Sequence, residues 1–140
     1  MIRIILNIVF LLLSISFLAQ NKEPAKTTIN VVVNNIVSNR GFVTFSLYEE
    51  KGFLETPVQT IQEKIVDKKT TITFKNVKKG TYVITCYHDS NENGKIDFDT
   101  QGIPLEDIGV TNSKILFGPP NFKESKFEVA NTNLDIEIKF

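Results

Sequence analysis

From residue 28 onward, short runs of apolar residues at alternate positions are separated by turn residues. Residues 28–36 are rich in Val and Ile, side chains that suit a pleated, half-buried surface. After Gly41, Val43, Phe45 and Leu47 alternate with Thr44 and Ser46 over 42–48. Residues 61–66 and 71–74 flank the turn Asp67-Lys68-Lys69, and Lys78-Lys79-Gly80 opens the β-branched and aromatic run 81–88. Residues 126–129 and 134–140 flank Asn131-Thr132-Asn133. In 134–140, Leu134, Ile136, Ile138 and Phe140 point one way and Asp135, Glu137 and Lys139 the other, the period of a strand with one buried face. Four apolar residues on one face predict that this last run pairs inside a sheet. No segment keeps a helical period; residues 49–54 are broken by Gly52 and followed by Pro57. The pattern predicts an all-β fold, a single antiparallel β-sandwich of about seven strands, with a single β-barrel as the alternative.

Two regions stand outside this pattern. Residues 100–121 hold Gly102, Pro104, Gly109, Gly118, Pro119 and Pro120 and predict a long irregular loop segment, which Ile103, Leu105, Ile108, Val110, Ile115, Leu116 and Phe117 would pack onto the sandwich. At the other end, Arg3 precedes an apolar run from residue 4 to 18, followed at once by polar residues 20–24. That is the layout of an export signal, and the run is short for a membrane span of roughly 20 residues. Small residues allow cleavage after Ala19 or after Ser16, and an uncleaved anchor is the alternative. No cysteine lies near the signal's end, which excludes a lipid-attached form on that residue. The expected organisation is residues 1–19 as signal peptide, 20–27 as polar tail and 28–140 as β-sandwich. The product would be exported to the periplasm, the outer-envelope surface or the medium, with no membrane span after cleavage.

Charge narrows the partners. Lys and Arg number 16 against 16 Asp and Glu; losing Arg3 with the signal leaves 15 against 16. A near-neutral chain has no electrostatic footprint for nucleic acid or an anionic membrane. Cys86 is the single cysteine, so no intrachain disulfide forms, and its apolar run predicts a buried, inert thiol.

One constellation carries chemistry. Counting from Asp89, side-chain oxygens fall at positions one, three, five, nine and eleven: Asp89, Asn91, Asn93, Asp97 and Asp99. Gly94 is sixth and Ile96 eighth. This spacing lets a short loop curl around a hard cation such as Ca2+. Asp89, Asn91 and Asn93 would each give a side-chain oxygen, Lys95 its carbonyl, and Asp97 a direct or water-mediated contact. Gly94 would permit the bend and Ile96 would pin the loop to the core. Thr100 occupies position twelve, where a bidentate acid belongs, and Asp99 or Glu106 would have to substitute. So few carboxylates predict weak binding, on the order of 10⁻⁴–10⁻³ M. The competing reading is a β-hairpin turning at Asn93-Gly94.

Other chemistry has less support. His88 is the single histidine, which rules out a multi-histidine zinc site on one chain, and no Gly-x-Ser-x-Gly nucleophile motif is present. Catalysis by His88 with Asp89 in a small secreted hydrolase is the alternative to a non-enzymatic module.

Four motifs occur in order: Lys79-Gly80-Thr81-Tyr82; residues 88–97 with the ion-loop pattern; Gly102-Ile103-Pro104-Leu105-Glu106; and Gly118-Pro119-Pro120-Asn121-Phe122. Together they resemble the domain of unknown function 2141 family of exported bacterial proteins. Asp107-Ile108-Gly109 departs from the family pattern, which has an aromatic before the glycine. The resemblance implies a small exported β domain of unassigned activity, and Lys79-Gly80-Thr81-Tyr82 entering a strand resembles, more distantly, prealbumin-like or Ig-like sandwiches. The expected product is a non-enzymatic module, Ca2+-stabilised, that binds an envelope or extracellular partner through its loops.

Overall fold

Alternation in the sequence becomes alternation in burial. In β1 (Thr27–Val33), Ile29, Val31 and Val33 are buried and Asn30 is exposed; in β2 (Phe42–Tyr48), Val43, Phe45 and Leu47 are buried. The computed structural model describes residues 27–112 and 118–140; the expected signal peptide and Ile115, Leu116 and Phe117 lie outside the described residues. Further along are β3 (Gln59–Lys64), β4 (Thr70–Val77), β5 (Gly80–Asp89), β6 (Ile108–Val110), the one-turn helix α1 (Phe122–Ser125), β7 (Phe127–Val129) and β8 (Leu134–Ile138).

The strands form two sheets. One has the order β4-β1-β8 and the other β3-β2-β5-β6, with β7 also on β5. Ten-residue β5 organises the larger sheet: β2 runs along one edge, while the other edge takes β7 at Gly80–Tyr82 and β6 at Thr85–Tyr87. Between the sheets lies the main core, in which Ile29, Phe45, Leu47, Phe74 and Ile84 have no solvent exposure. Burial of each such side chain contributes about 1.5–3 kcal/mol. Outside the larger sheet, Val83, Val110 and Phe122 form a second cluster with Phe53, whose ring meets Phe122 edge-on at 5.4 Å.

The β-sandwich is as expected, with three corrections. First, the sheets are not wholly antiparallel: β8 runs parallel to β1, pairing Val31 with Ile136. Second, β8 lies at the edge of its sheet rather than inside it. The chain arrives from β7 in the other sheet, so the turn at Asn131–Asn133 is a corner between sheets. Third, the segment 100–121 is not irregular throughout. It supplies β6, where Gly109 faces Cys86 across the ladder; a β-carbon on Gly109 would lie 2.6 Å from the Ile138 side chain and 3.0 Å from Cys86 Sγ. Gly109 therefore lets the edges of the two sheets close on each other. On the opposite side, a two-residue turn carries the chain from β3 into β4, with Asp67 and Lys68 both at positive φ and Val66 and Lys69 exchanging backbone hydrogen bonds. Among the described residues no ladder joins β3 to β4 along their length, or β6 to β8, so the body is a sandwich and not a barrel.

Candidate functional site

The candidate ion loop begins where β5 leaves its sheet. Asp89 is the last residue of β5, paired with Phe42 and 1% exposed. Gly41, at φ +75°, lies so close beneath it that a β-carbon would sit 1.9 Å from the Asp89 carbonyl oxygen. Only glycine combines that approach with that backbone.

Local hydrogen bonds then shape the loop. The two oxygens of the Asp89 carboxylate accept from Asn93 N (3.0 Å) and Gly94 N (2.8 Å). Asn91 Oδ1 accepts from Asn93 N (3.1 Å), and Asn93 Oδ1 from Lys95 N (3.0 Å), two successive Asx turns. Positive φ at Glu92 and Gly94 supplies the bends. Asn91 Nδ2 and Asn93 Nδ2 both donate to Asp97 Oδ2, at 2.7 and 2.6 Å, so side chains at positions three, five and nine meet at one atom.

Of the six residues singled out by spacing, Asp89, Asn91, Asn93 and Asp97 are drawn together. Lys95 contributes a side chain as well as a backbone: its ammonium lies 4.0 Å from Asp97 Oδ1. Asp99 is directed elsewhere. Its carboxylate accepts from Gln101 N and Ile103 N, both at 2.8 Å, and so closes the turn of a small hairpin in which Phe98 bridges to Pro104. Of the two acids offered for position twelve, Glu106 is the one that reaches the loop, accepting from Ser90 N (3.2 Å) and, more distantly, Asp97 N (3.4 Å). Ile96 is half-buried, but it lines a cavity beside the loop rather than the main core. No paired strands flank Asn93-Gly94 among the described residues; the hairpin of this region turns at residues 99–102 instead.

The donor set suits a hard cation in part. Three carboxylates contribute, and each Asn oxygen, having accepted one N–H, keeps a second lone pair. Among the described residues no three Asp, Glu, His or Cys side chains cluster closely enough to hold a metal ion by themselves. An ion would therefore need amide and backbone oxygens, and the Asn91 and Asn93 N–H donors now on Asp97 would have to turn away.

His88 and Asp89 have separate partners. His88 is buried, its Nε2 lies 2.7 Å from the Arg40 carbonyl oxygen, and its ring stacks near Phe140. Cys86 is 1% exposed, and burial pushes its thiol far above the ordinary range, against a smaller opposing hydrogen bond from the Gly109 backbone. Among the described residues no helix is long and apolar enough to cross a membrane.

Sequence reasoning missed Gly41 and Gly109 as close-packed positions. Their glycine identity was visible, but the strands they touch lie about 20 to 50 positions away in the chain. No curated protein and no solved structure matches the chain. A family described as uncharacterised proteins conserved in bacteria, DUF2141, matches residues 31–137. That span runs from β1 to β8 and includes the whole loop just described, and the chain belongs to this family.

Proposed function

We propose that the protein is an exported, non-enzymatic β-sandwich module whose loop at residues 89–106 is stabilised by Ca2+, and that it engages an envelope or extracellular partner through its loops. The observation that carries the ion reading is the meeting of Asp89, Asn91, Asn93, Asp97 and Glu106 around one short segment of backbone. The non-enzymatic reading draws on His88 Nε2 and the Asp89 carboxylate, which are engaged by backbone groups. Export draws on Arg3 and the apolar run that follows it.

An ion that binds the folded loop alone adds RT ln(1 + [L]/Kd), about 1.4 kcal/mol at ten times Kd. For a domain of this size that raises the melting temperature by a few degrees. Mg2+ should do less, because it sheds water reluctantly and demands a tighter octahedron. Asp89→Ala should remove the Ca2+ response, and Lys95→Met should enlarge it by removing the competing cation from Asp97. A wild-type melting temperature that does not move up to about 10 mM Ca2+, above the weakest affinity expected for such loops, sinks the ion reading. For export, mass spectrometry of the native protein should find a mature N-terminus near Gln20; intact Met1 in the cytoplasmic fraction would refute it.

A further inference from the structure

We propose that the cavity beside the loop binds a small ligand with an apolar body and a single ammonium group. The cavity has a volume of about 580 Å³, within the range of small-molecule sites. Tyr87 and Ile108, neighbours across the β5–β6 ladder, form part of one wall. Phe98 and Pro104, joined by the hairpin's bridge, and Pro120 form others. Phe98 is 55% exposed, a large aromatic held at the rim of a concave surface by a hairpin whose turn Asp99 closes.

Charge decides the class of ligand. The charged residues in the described lining are Glu106 and Asp107, with no Lys, Arg or His among them. Glu106 already accepts two backbone N–H groups. Asp107 is exposed, and among the described residues its carboxylate has no hydrogen-bond or ion-pair partner. Two carboxylates repel an anionic ligand and favour a cation, and the Tyr87 and Phe98 rings add the attraction of an aromatic face for an ammonium. Glu106 is shared with the proposed ion set, but Asp107 and Phe98 are not, so these two residues carry the ammonium site whether or not the loop holds an ion.

A matched pair of probes tests the proposal: 4-phenylbutylamine and 4-phenylbutyrate, titrated into the protein and followed by amide NMR. The amine should shift the amides of Thr85, Tyr87, Phe98 and Ile108 saturably, with Kd on the order of 1 mM for a fragment of this size. Asp107→Asn should weaken it about two- to fivefold, as expected for one partly exposed ion pair. Phe98→Ala should weaken it at least about tenfold with the melting temperature little changed, since the ring is exposed. The carboxylate binding as tightly as the amine, or no saturable shift up to about 20 mM of either, overturns the proposal. Repeating the titration in EDTA and in Ca2+ separates the two readings: amine binding in EDTA stands whether or not the loop responds to the ion.

Discussion

In the sandwich body, Phe45 and Phe74 are wholly buried, while Thr71 and Lys75 of the Phe74 strand are exposed and Thr44 and Ser46 beside Phe45 are half-buried. Between residues 89 and 106 the proportions reverse: most side chains are exposed, and carboxylates and amides bonded to backbone N–H groups hold the chain. Both regions are continuous through β5, whose inner face carries Ile84 and Cys86 before the strand ends at Asp89. The body gains from burial of apolar area, which is non-directional and large. The loop gains from hydrogen bonds that are directional and individually contribute about 0.5–1.5 kcal/mol, or about 1.5–3 when one partner is charged. An ion or ligand therefore acts more strongly on the loop than on the body. A core already closed has little to gain from one, whereas a loop held by a few carboxylates can be tightened or loosened by a single charge.

The largest expected effect lies in the body. Phe45→Ala should lower the unfolding free energy by about 3–5 kcal/mol in urea denaturation, the range for removing a buried aromatic ring. A loss below about 1 kcal/mol would mean that the core is far less closely packed than its burial implies.

Gly41→Ala strikes the junction of the two regions. Its β-carbon would collide with the Asp89 carbonyl at a positive-φ position, and a loss of about 3 kcal/mol is expected from the combined clash and strain. Hydrogen exchange should quicken in both β5 and the loop. Acceleration confined to the loop would show that the regions are less coupled than Gly41 suggests.

Asp89→Ala should separate the regions cleanly. Removing the charged acceptor of two backbone N–H groups should cost about 1–3 kcal/mol. Amide exchange should rise through residues 90–97 while β1 and β4 keep their protection. Equal acceleration everywhere would make the loop part of the cooperative core.

Alkaline pH sharpens the same contrast from the core side. The folded thiol of Cys86 is raised above its ordinary 9.0, so the unfolded chain loses this proton first and binds fewer protons than the native state. This contribution to stability is complete below about pH 9 and falls above it, by up to about 1.4 kcal/mol per pH unit while the folded thiol stays protonated. Tyr82, raised by burial and next by the nearby Glu49 carboxylate, adds in the same direction above pH 10.0. Urea denaturation between pH 8 and 10 should show the decline, and Cys86→Ala should flatten it.

Much of the body was readable because period-two alternation is a local property. Strands β1, β2, β5 and β8 emerge near the positions of their apolar runs. β6 was not readable: three residues containing a glycine carry almost no alternation, and they become a strand because β5 offers a free edge at Thr85–Tyr87. In the loop, the bonds from Asp89 to Asn93 and Gly94 span four and five positions, and they follow the spacing seen in the sequence. The choice of Glu106 over Asp99 did not follow from that spacing. It depends on a hairpin at residues 97–105 that returns the chain to Ser90 and consumes Asp99 in its own turn.

Local spacing along the chain is enough to mark the alternating core positions of the main strands, the turns between them and an oxygen-rich loop after β5, since each depends on residues a few positions apart. It fails at Ile103, Leu105 and Phe140, which are apolar and expected to pack but are exposed. Long-range packing settles that β8 runs parallel to β1, that β3 and β4 fall in different sheets, and that Gly41 and Gly109 tolerate no side chain. Alternation carries no strand direction and names no partner. Those are settled by which faces and edges meet when segments as far apart as Ile29 and Leu134 pack together.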